Sequence, residues 1–157
     1  MISKKILFAG DLNEYGRTLQ RYRTLEDSGF VLEGISTVPI PWRPTIDSNL
    51  IEKITWKFKI PIDTTGANKK IRKAVENKKF DIVWIEKGIT IRPKTLNFIK
   101  KNQPQAKLIS VSEDDMYGRH NRSLYYDWGL KYYDIVFTTK TYNLEELKLL
   151  GGKRTEL

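Results

Sequence analysis

Between Leu108 and Ser123 the chain gathers three consecutive carboxylates (Glu113, Asp114 and Asp115), its only histidine (His120), the amide of Asn121 and the guanidinium groups of Arg119 and Arg122. A turn needs one or two Gly, Asn or Asp residues to set its backbone, not acids, an imidazole and guanidinium groups together. Such a set can bind hydroxyls, hold an anion or move a proton. Histidine is the side chain type that exchanges a proton near neutral pH, which makes His120 a candidate for proton transfer or ligand binding. A lone histidine is more often structural, and that alternative stays open. The carboxylate run also invites a metal reading, because hard cations take carboxylate oxygens. Consecutive side chains in extended structure point to opposite sides, so the run does not itself make a chelate. Capping the following helix, or bonding loop amides and ligand hydroxyls, suits it better.

Other loops carry fewer such groups. Asp11 sits in Gly10-Asp-Leu-Asn-Glu-Tyr-Gly16, a glycine-containing strand-to-helix turn. It is not the G-x-G-x-x-G fingerprint, and no Walker A motif is present, which disfavours a classical NAD or ATP site. The glycines either relieve strain or admit a sugar or phosphate close to a helix N-terminus. Glu86-Lys87-Gly88 offers a carboxylate and an ammonium, as a plain ion pair or as a hold on an anionic ligand. Trp42, Trp56, Trp84 and Trp128 read by default as core or helix–sheet packing. Trp42, flanked by prolines and Arg43, is the one suited to stacking on a ligand.

These loops need a frame, and the hydrophobic pattern supplies one. Residues 4–9, 30–36, 80–85, 106–111 and 133–138 read as strands, the first nearly continuous in apolar residues as in a sheet buried on both faces. Helices are expected over 18–28 with Gly29 as its cap, over 65–78, from Pro93 onward, over 122–131 and over 143–150. A further helix over 47–58 places Ile51, Ile54 and Phe58 over the sheet. Right-handed crossovers then favour a Rossmann-like, doubly wound, five-stranded parallel α/β sheet with helices on both faces, in the order 3-2-1-4-5. In such a sheet all strand carboxyl ends share one edge. Gly10-Asp11, Thr37, Glu86-Lys87-Gly88, Ser112 to Asp115 and Thr139-Lys140 should line one crevice there. The opposite edge reads as ordinary lysine-rich turns.

The 157 residues suit one domain with a real core. With no cysteine, disulfides and zinc–thiolate sites are excluded. No apolar run reaches the roughly 20 residues of a membrane span, and the N-terminus lacks a signal-peptide pattern. A cytoplasmic location is the expectation. The net charge of +9 permits nucleic acid, an anionic membrane surface or a phosphorylated ligand. Its lysines fall in scattered pairs, without the stacked aromatics of an RNA-recognition fold, so nucleic acid is not the expected partner.

Seven segments occur in a telling order: Ile6-Leu-Phe-Ala-Gly-Asp-Leu12, Thr18-Leu-Gln-Arg-Tyr-Arg-Thr-Leu25, Asp81-Ile-Val-Trp-Ile-Glu-Lys-Gly88, Arg92-Pro-Lys-Thr-Leu96, Ser112-Glu-Asp-Asp-Met116, His120-Asn121, and Tyr133-Asp-Ile-Val-Phe-Thr-Thr-Lys140 with Asn143-Leu-Glu-Glu-Leu147. Together they resemble the N-terminal half of CgeB-like glycosyltransferases of the GT-B superfamily, over nearly the whole chain. Glu113 departs from the pattern, in which a proline commonly precedes Asp-Asp-Met. The resemblance implies two Rossmann-like domains facing across a cleft, the first taking the acceptor and the second the nucleotide-sugar. Residue 157 falls about where the second domain should begin, so the donor-binding domain is expected to be absent.

On this reading the chain binds a sugar or glycolipid acceptor. Asp11, Glu86, Lys87, Asp114, Asp115, His120 and Asn121 line the site, and His120 or Asp114 serves as base for the acceptor hydroxyl. A nucleotide-sugar binds only with a second domain, a partner subunit or a homodimer could complete the cleft, and the isolated chain is expected to be inactive. Neither a cofactor nor a metal is expected. The alternative is a non-catalytic flavodoxin-like binding or assembly module. A nucleic-acid binder would need the positive charge concentrated on one face.

Overall fold

Ile6, Leu7, Phe8 and Ala9 are all buried, which places the first strand between two layers. A computed structural model describes residues 3–42, 49–118 and 120–157, and shows why. Strand β1 (Lys5–Gly10) is followed by α1 (Arg17–Asp27), β2 (Val31–Ser36), α2 (Leu50–Lys57), α3 (Ala67–Asn77), β3 (Ile82–Glu86), α4 (Pro93–Asn102), β4 (Lys107–Ser112), α5 (Leu124–Gly129), β5 (Ile135–Thr138), α6 (Asn143–Leu149) and β6 (Thr155–Glu156). All pairings are parallel: Phe8 lies beside Gly34 on one side and Trp84 on the other, and Ile109 beside Trp84 and Ile135. The chain has the α/β, Rossmann-like parallel sheet expected of it, with helices on both faces.

The strand order differs from expectation. It is β2-β1-β3-β4-β5-β6, not 3-2-1-4-5. The connection after β2 crosses β1 and sets β3 on its far side, which leaves β2 at the edge. Glu33 and the exposed Val31 and Gly34 suit an edge strand and would be costly in an interior one. A sixth strand, only two residues long, pairs Thr155 with Val136 and Glu156 with Phe137.

Right-handed connections distribute the helices unequally. Leu7, Ala9, Val83, Ile85, Leu108 and Val136 form the main core with residues of α3, α4, α5 and α6. On the other face, α1 lays Tyr22 edge-on against Phe8, which stacks on Trp84 at 5.8 Å. The α2 segment departs from expectation: Ile51, Ile54 and Phe58 are exposed rather than set over the sheet. The expected start of that helix at 47 and 48 lies outside the described residues, as do Arg43 and Arg119. Three of the four tryptophans, Trp42, Trp56 and Trp128, are likewise exposed rather than packed inside. The expected helix over 122–131 is α5 followed by a single 3-10 turn, Leu130–Tyr132.

Side chains close the helix ends. Asp63 accepts from the amides of Ala67 and Asn68 at the start of α3. Asn68, buried, donates to Asp63 and to the Thr90 carbonyl, and accepts from the Arg92 amide and the Thr95 hydroxyl. It thereby joins α3 to the start of α4. Asp134 takes the Leu108 amide and the Lys100 ammonium. Burial alone would raise the carboxyls of Asp63 and Asp134, but the bonds they accept outweigh it and hold both below the ordinary range.

Two outcomes are expected. Asn68→Ala strands several buried partners and should cost about 2–3 kcal/mol by urea denaturation. The lowered carboxyls favour the charged form in the folded state. Their contribution is complete above the unfolded pKa of about 4 and is lost as pH falls through the folded values. Stability should therefore be level from about pH 7 to 5 and decline below about 4, and Asp63→Asn should flatten that decline.

Candidate functional site

The sheet is parallel, so Gly10, Ser36, Glu86, Ser112 and Thr138 end their strands along one edge. The candidate residues follow those ends. They do not all do the same work.

Glu86 is turned inward, with only 3% exposure. Arg21 of α1 donates to both of its oxygens, Nε to Oε1 at 2.7 Å and Nη2 to Oε2 at 3.2 Å. The Trp84 indole adds a third bond at 2.9 Å. Gly10 is required by this approach, because a Cβ there would meet the Glu86 Cβ at 2.8 Å and the Thr18 methyl at 2.6 Å. Glu86 is thus committed to an internal ion pair.

The three consecutive carboxylates go to three different partners. Glu113 accepts from Arg21 at 2.6 Å and Arg17 at 2.9 Å. The Arg21 bond, helped by Arg17, holds its carboxyl below the ordinary range against a smaller opposing effect of burial. Asp114 pairs with the Lys87 ammonium at 2.6 Å, both side chains about half exposed. Asp115 turns back into its own loop, taking the amides of Tyr117 and Gly118 and the side-chain amide of Asn143. Burial would raise its carboxyl, but these bonds together lower it.

Asp11 accepts from the Asn13 amide at 3.0 Å and its side-chain nitrogen at 2.7 Å, closing the loop after β1. Asn13 also donates to the Pro39 carbonyl, which ties that loop to the one after β2. His120 is exposed, and Asn121 closes a turn, with the amides of Asn121 and Arg122 both donating to the Gly118 carbonyl. Arg122 pairs with the buried Asp127 at 2.8 Å and lies over the Tyr117 ring. Among the candidates, Lys87 and Asp114 are in direct contact, and the others share the edge without a mutual bond among the described residues.

Lys87 also holds an unusual backbone, with φ at +40°. Its amide bonds Val111 and its carbonyl accepts from Ile89. A non-glycine residue in this region costs on the order of 1 kcal/mol, and such strain gathers at functional sites.

Arg21 and Arg17 were not singled out from the sequence for chemistry. The signal was present: Thr18, Arg21, Tyr22 and Leu25 share one stripe of α1, so Arg21 falls on the inward face, where a cation needs a buried partner. An open groove of ≈ 340 Å³ lies between α1 and Trp84, with Arg17, Gln20, Arg21 and Glu113 on its wall. It lies on the α1 side, beside the Glu86 ion pair and apart from Lys87 and His120. Among the described residues, no group of three His, Asp or Glu side chains is placed to hold a metal ion.

No protein-family model matches the sequence, and no curated protein matches it. Solved structures do match in fold. An α-glucosyltransferase in complex with UDP-glucose and DNA containing an abasic site has a TM-score of 0.56 and 17% identity, over 99% of this chain and 42% of that one. An α-glucosyltransferase with UDP and a 13-mer DNA containing a central A:G mismatch gives 0.54 and 17%, over 99% and 40%. A phosphorylated response regulator from Burkholderia pseudomallei gives 0.45 and 11%, over 98% and 59%. The chain thus spans about two fifths of the glucosyltransferase chains, whose likeness at this identity is one of fold.

Arg21→Ala would leave Glu86 buried and uncompensated, a change worth about 3 kcal/mol. Replacing both partners by apolar residues (Arg21→Met with Glu86→Leu) should recover most of that loss. Urea midpoints of the unaltered chain and of both variants check the expectation, and a double variant no better than the single one would contradict it.

Proposed function

We propose that this chain is the acceptor-side domain of a CgeB-like, GT-B-type sugar-transferring enzyme, holding a sugar-bearing acceptor at the carboxyl edge of its sheet. The observation that carries this reading is the strained, half-exposed Lys87 paired with Asp114 at that edge. A turn alone would be better served by glycine at 87. The match of almost the whole chain to part of an α-glucosyltransferase supports it, as does the order of the motifs along the sequence.

The residues then divide by availability. Lys87, Asp114, His120 and Asn121 present groups a hydroxylated ligand can reach, and Asp11 shapes the neighbouring loop. Asp115 holds the loop that carries His120. In the complete enzyme, His120 or Asp114 accepts the proton of the acceptor hydroxyl as it attacks the sugar. The donor must be held with its anomeric carbon near the acceptor, in a cleft closed to water. One open wall supplies neither, so the nucleotide-sugar site belongs to a second domain.

The test uses the chain alone. Labelled protein applied to an oligosaccharide array should bind a subset of glycans. Lys87→Gly and Asp114→Asn should each reduce that binding about tenfold, the loss of one charged hydrogen bond. Lys87→Gly should meanwhile keep or raise the unfolding midpoint, because it relieves the backbone. With UDP-glucose the chain should release no UDP. Release that disappears in His120→Ala would falsify the need for a second domain, and unchanged glycan binding in both edge variants would remove the crevice assignment.

A further inference from the structure

The segment joining β2 to α3 leaves its apolar side chains outside the core. In α2, Leu50, Ile51 and Ile54 are 72%, 63% and 46% exposed, and Phe58 just beyond it is 64% exposed. The helix has no buried residue at all. Ile40, Trp42, Trp56 and Ile62 are exposed as well. Eight of the fifteen exposed large hydrophobic residues among those described thus fall within 40–62. Soluble proteins seldom leave such a concentration without a partner.

The spacing gives this surface a direction. Leu50, Ile51, Ile54 and Phe58 share one stripe of a 3.6-residue helix. Lys53 and Lys57 flank it, Lys59 follows, and Glu52 is the one acid between 49 and 62. Leucine, isoleucine, phenylalanine and tryptophan bordered by lysines is the composition of a helix lying in a membrane interface. The covering surface must be apolar within and negative at its rim. A second copy of the chain fits poorly, because two molecules of charge +9 would bring the same lysines face to face.

We infer that α2, with Trp42 and Phe58, seats on an anionic lipid bilayer, its apolar stripe in the interface and its lysines on the headgroups. Both ends of the segment are anchored beside the candidate crevice. The Lys59 carbonyl accepts from the Leu124 amide at 2.8 Å, and the Pro39 carbonyl from Asn13 at 3.0 Å. Seating would therefore hold the carboxyl edge of the sheet near the headgroups. The inference stands on the exposed helix alone, whatever the crevice binds.

The test is co-sedimentation of the full chain with vesicles of phosphatidylcholine, alone or mixed with phosphatidylglycerol. Partitioning should be about tenfold or more stronger on the mixed vesicles, given roughly 1 kcal/mol per lysine at a negative surface. The combined variant Ile51→Ser, Ile54→Ser, Phe58→Ser should lose that binding while keeping its circular dichroism and unfolding midpoint, since none of the three lies in the core. Lys53→Glu with Lys57→Glu should abolish the preference for anionic vesicles. Absence of partitioning, equal binding to both vesicle types, or equal binding by the serine variant would overturn the inference. So would a dimer in sedimentation velocity that the serine variant abolishes, which would assign the stripe to a second copy.

Discussion

A carboxylate buried at the end of a central strand must be compensated, and much of this molecule's working edge follows from how that is done. Glu86 closes β3 with almost no solvent contact. Its countercharge comes from Arg21, which α1 can deliver only if that helix lies low over β1. Gly10 makes the approach possible, Tyr22 locks it against Phe8, and Trp84 supplies the remaining bond. Arg21 then reaches on to Glu113, so one guanidinium joins α1, the end of β3 and the first residue after β4. Removing one member leaves a charge without its partner, a larger loss than removing both.

The same anchor sets the direction of the loop after β4. With Glu113 drawn back to α1, Asp114 meets Lys87 and Asp115 turns toward Asn143 at the start of α6. Three adjacent carboxylates are thereby separated in function: one fixes the loop base, one faces the edge, and one holds the far limb. That limb carries His120 and Asn121 over the turn closed by Gly118. Lys87, Asp114 and His120 stay half or fully exposed at that edge.

The identity of β1 to β5 was legible because these strands are short, largely apolar runs bounded by turn residues, and parallel pairing followed from the intervening helices. Strand order was less legible, since crossover rules admit several arrangements and only Glu33 and Gly34 marked β2 as an edge. The site was legible as a set of loops but not as a division of roles. Sequence showed acids and a lysine beyond strand ends; it did not show that Glu86 points inward, because that depends on Arg21, 65 positions away. The β6 pairing rests on two residues, too few for any periodic signal.

The α2 segment marks where pattern reading stops. Periodicity reports which residues share a helix face, not what that face meets. Leu50, Ile51, Ile54 and Phe58 are as regular as the core stripe of α3, where Ala67, Ile71, Ala74 and Val75 are buried. The difference lies in the connections. Helix α3 is drawn onto the sheet by the Asp63 and Asn68 bonds at its first turn. Helix α2 is capped by Asn49 within its own segment, and its C-terminal flank is joined to α5 by the backbone bond at Lys59. A helix held that way can present a wide apolar stripe without disturbing the core. Substitutions on that stripe therefore cost the core little, while Arg21 holds the ends of β3 and β4 to α1 through Glu86 and Glu113.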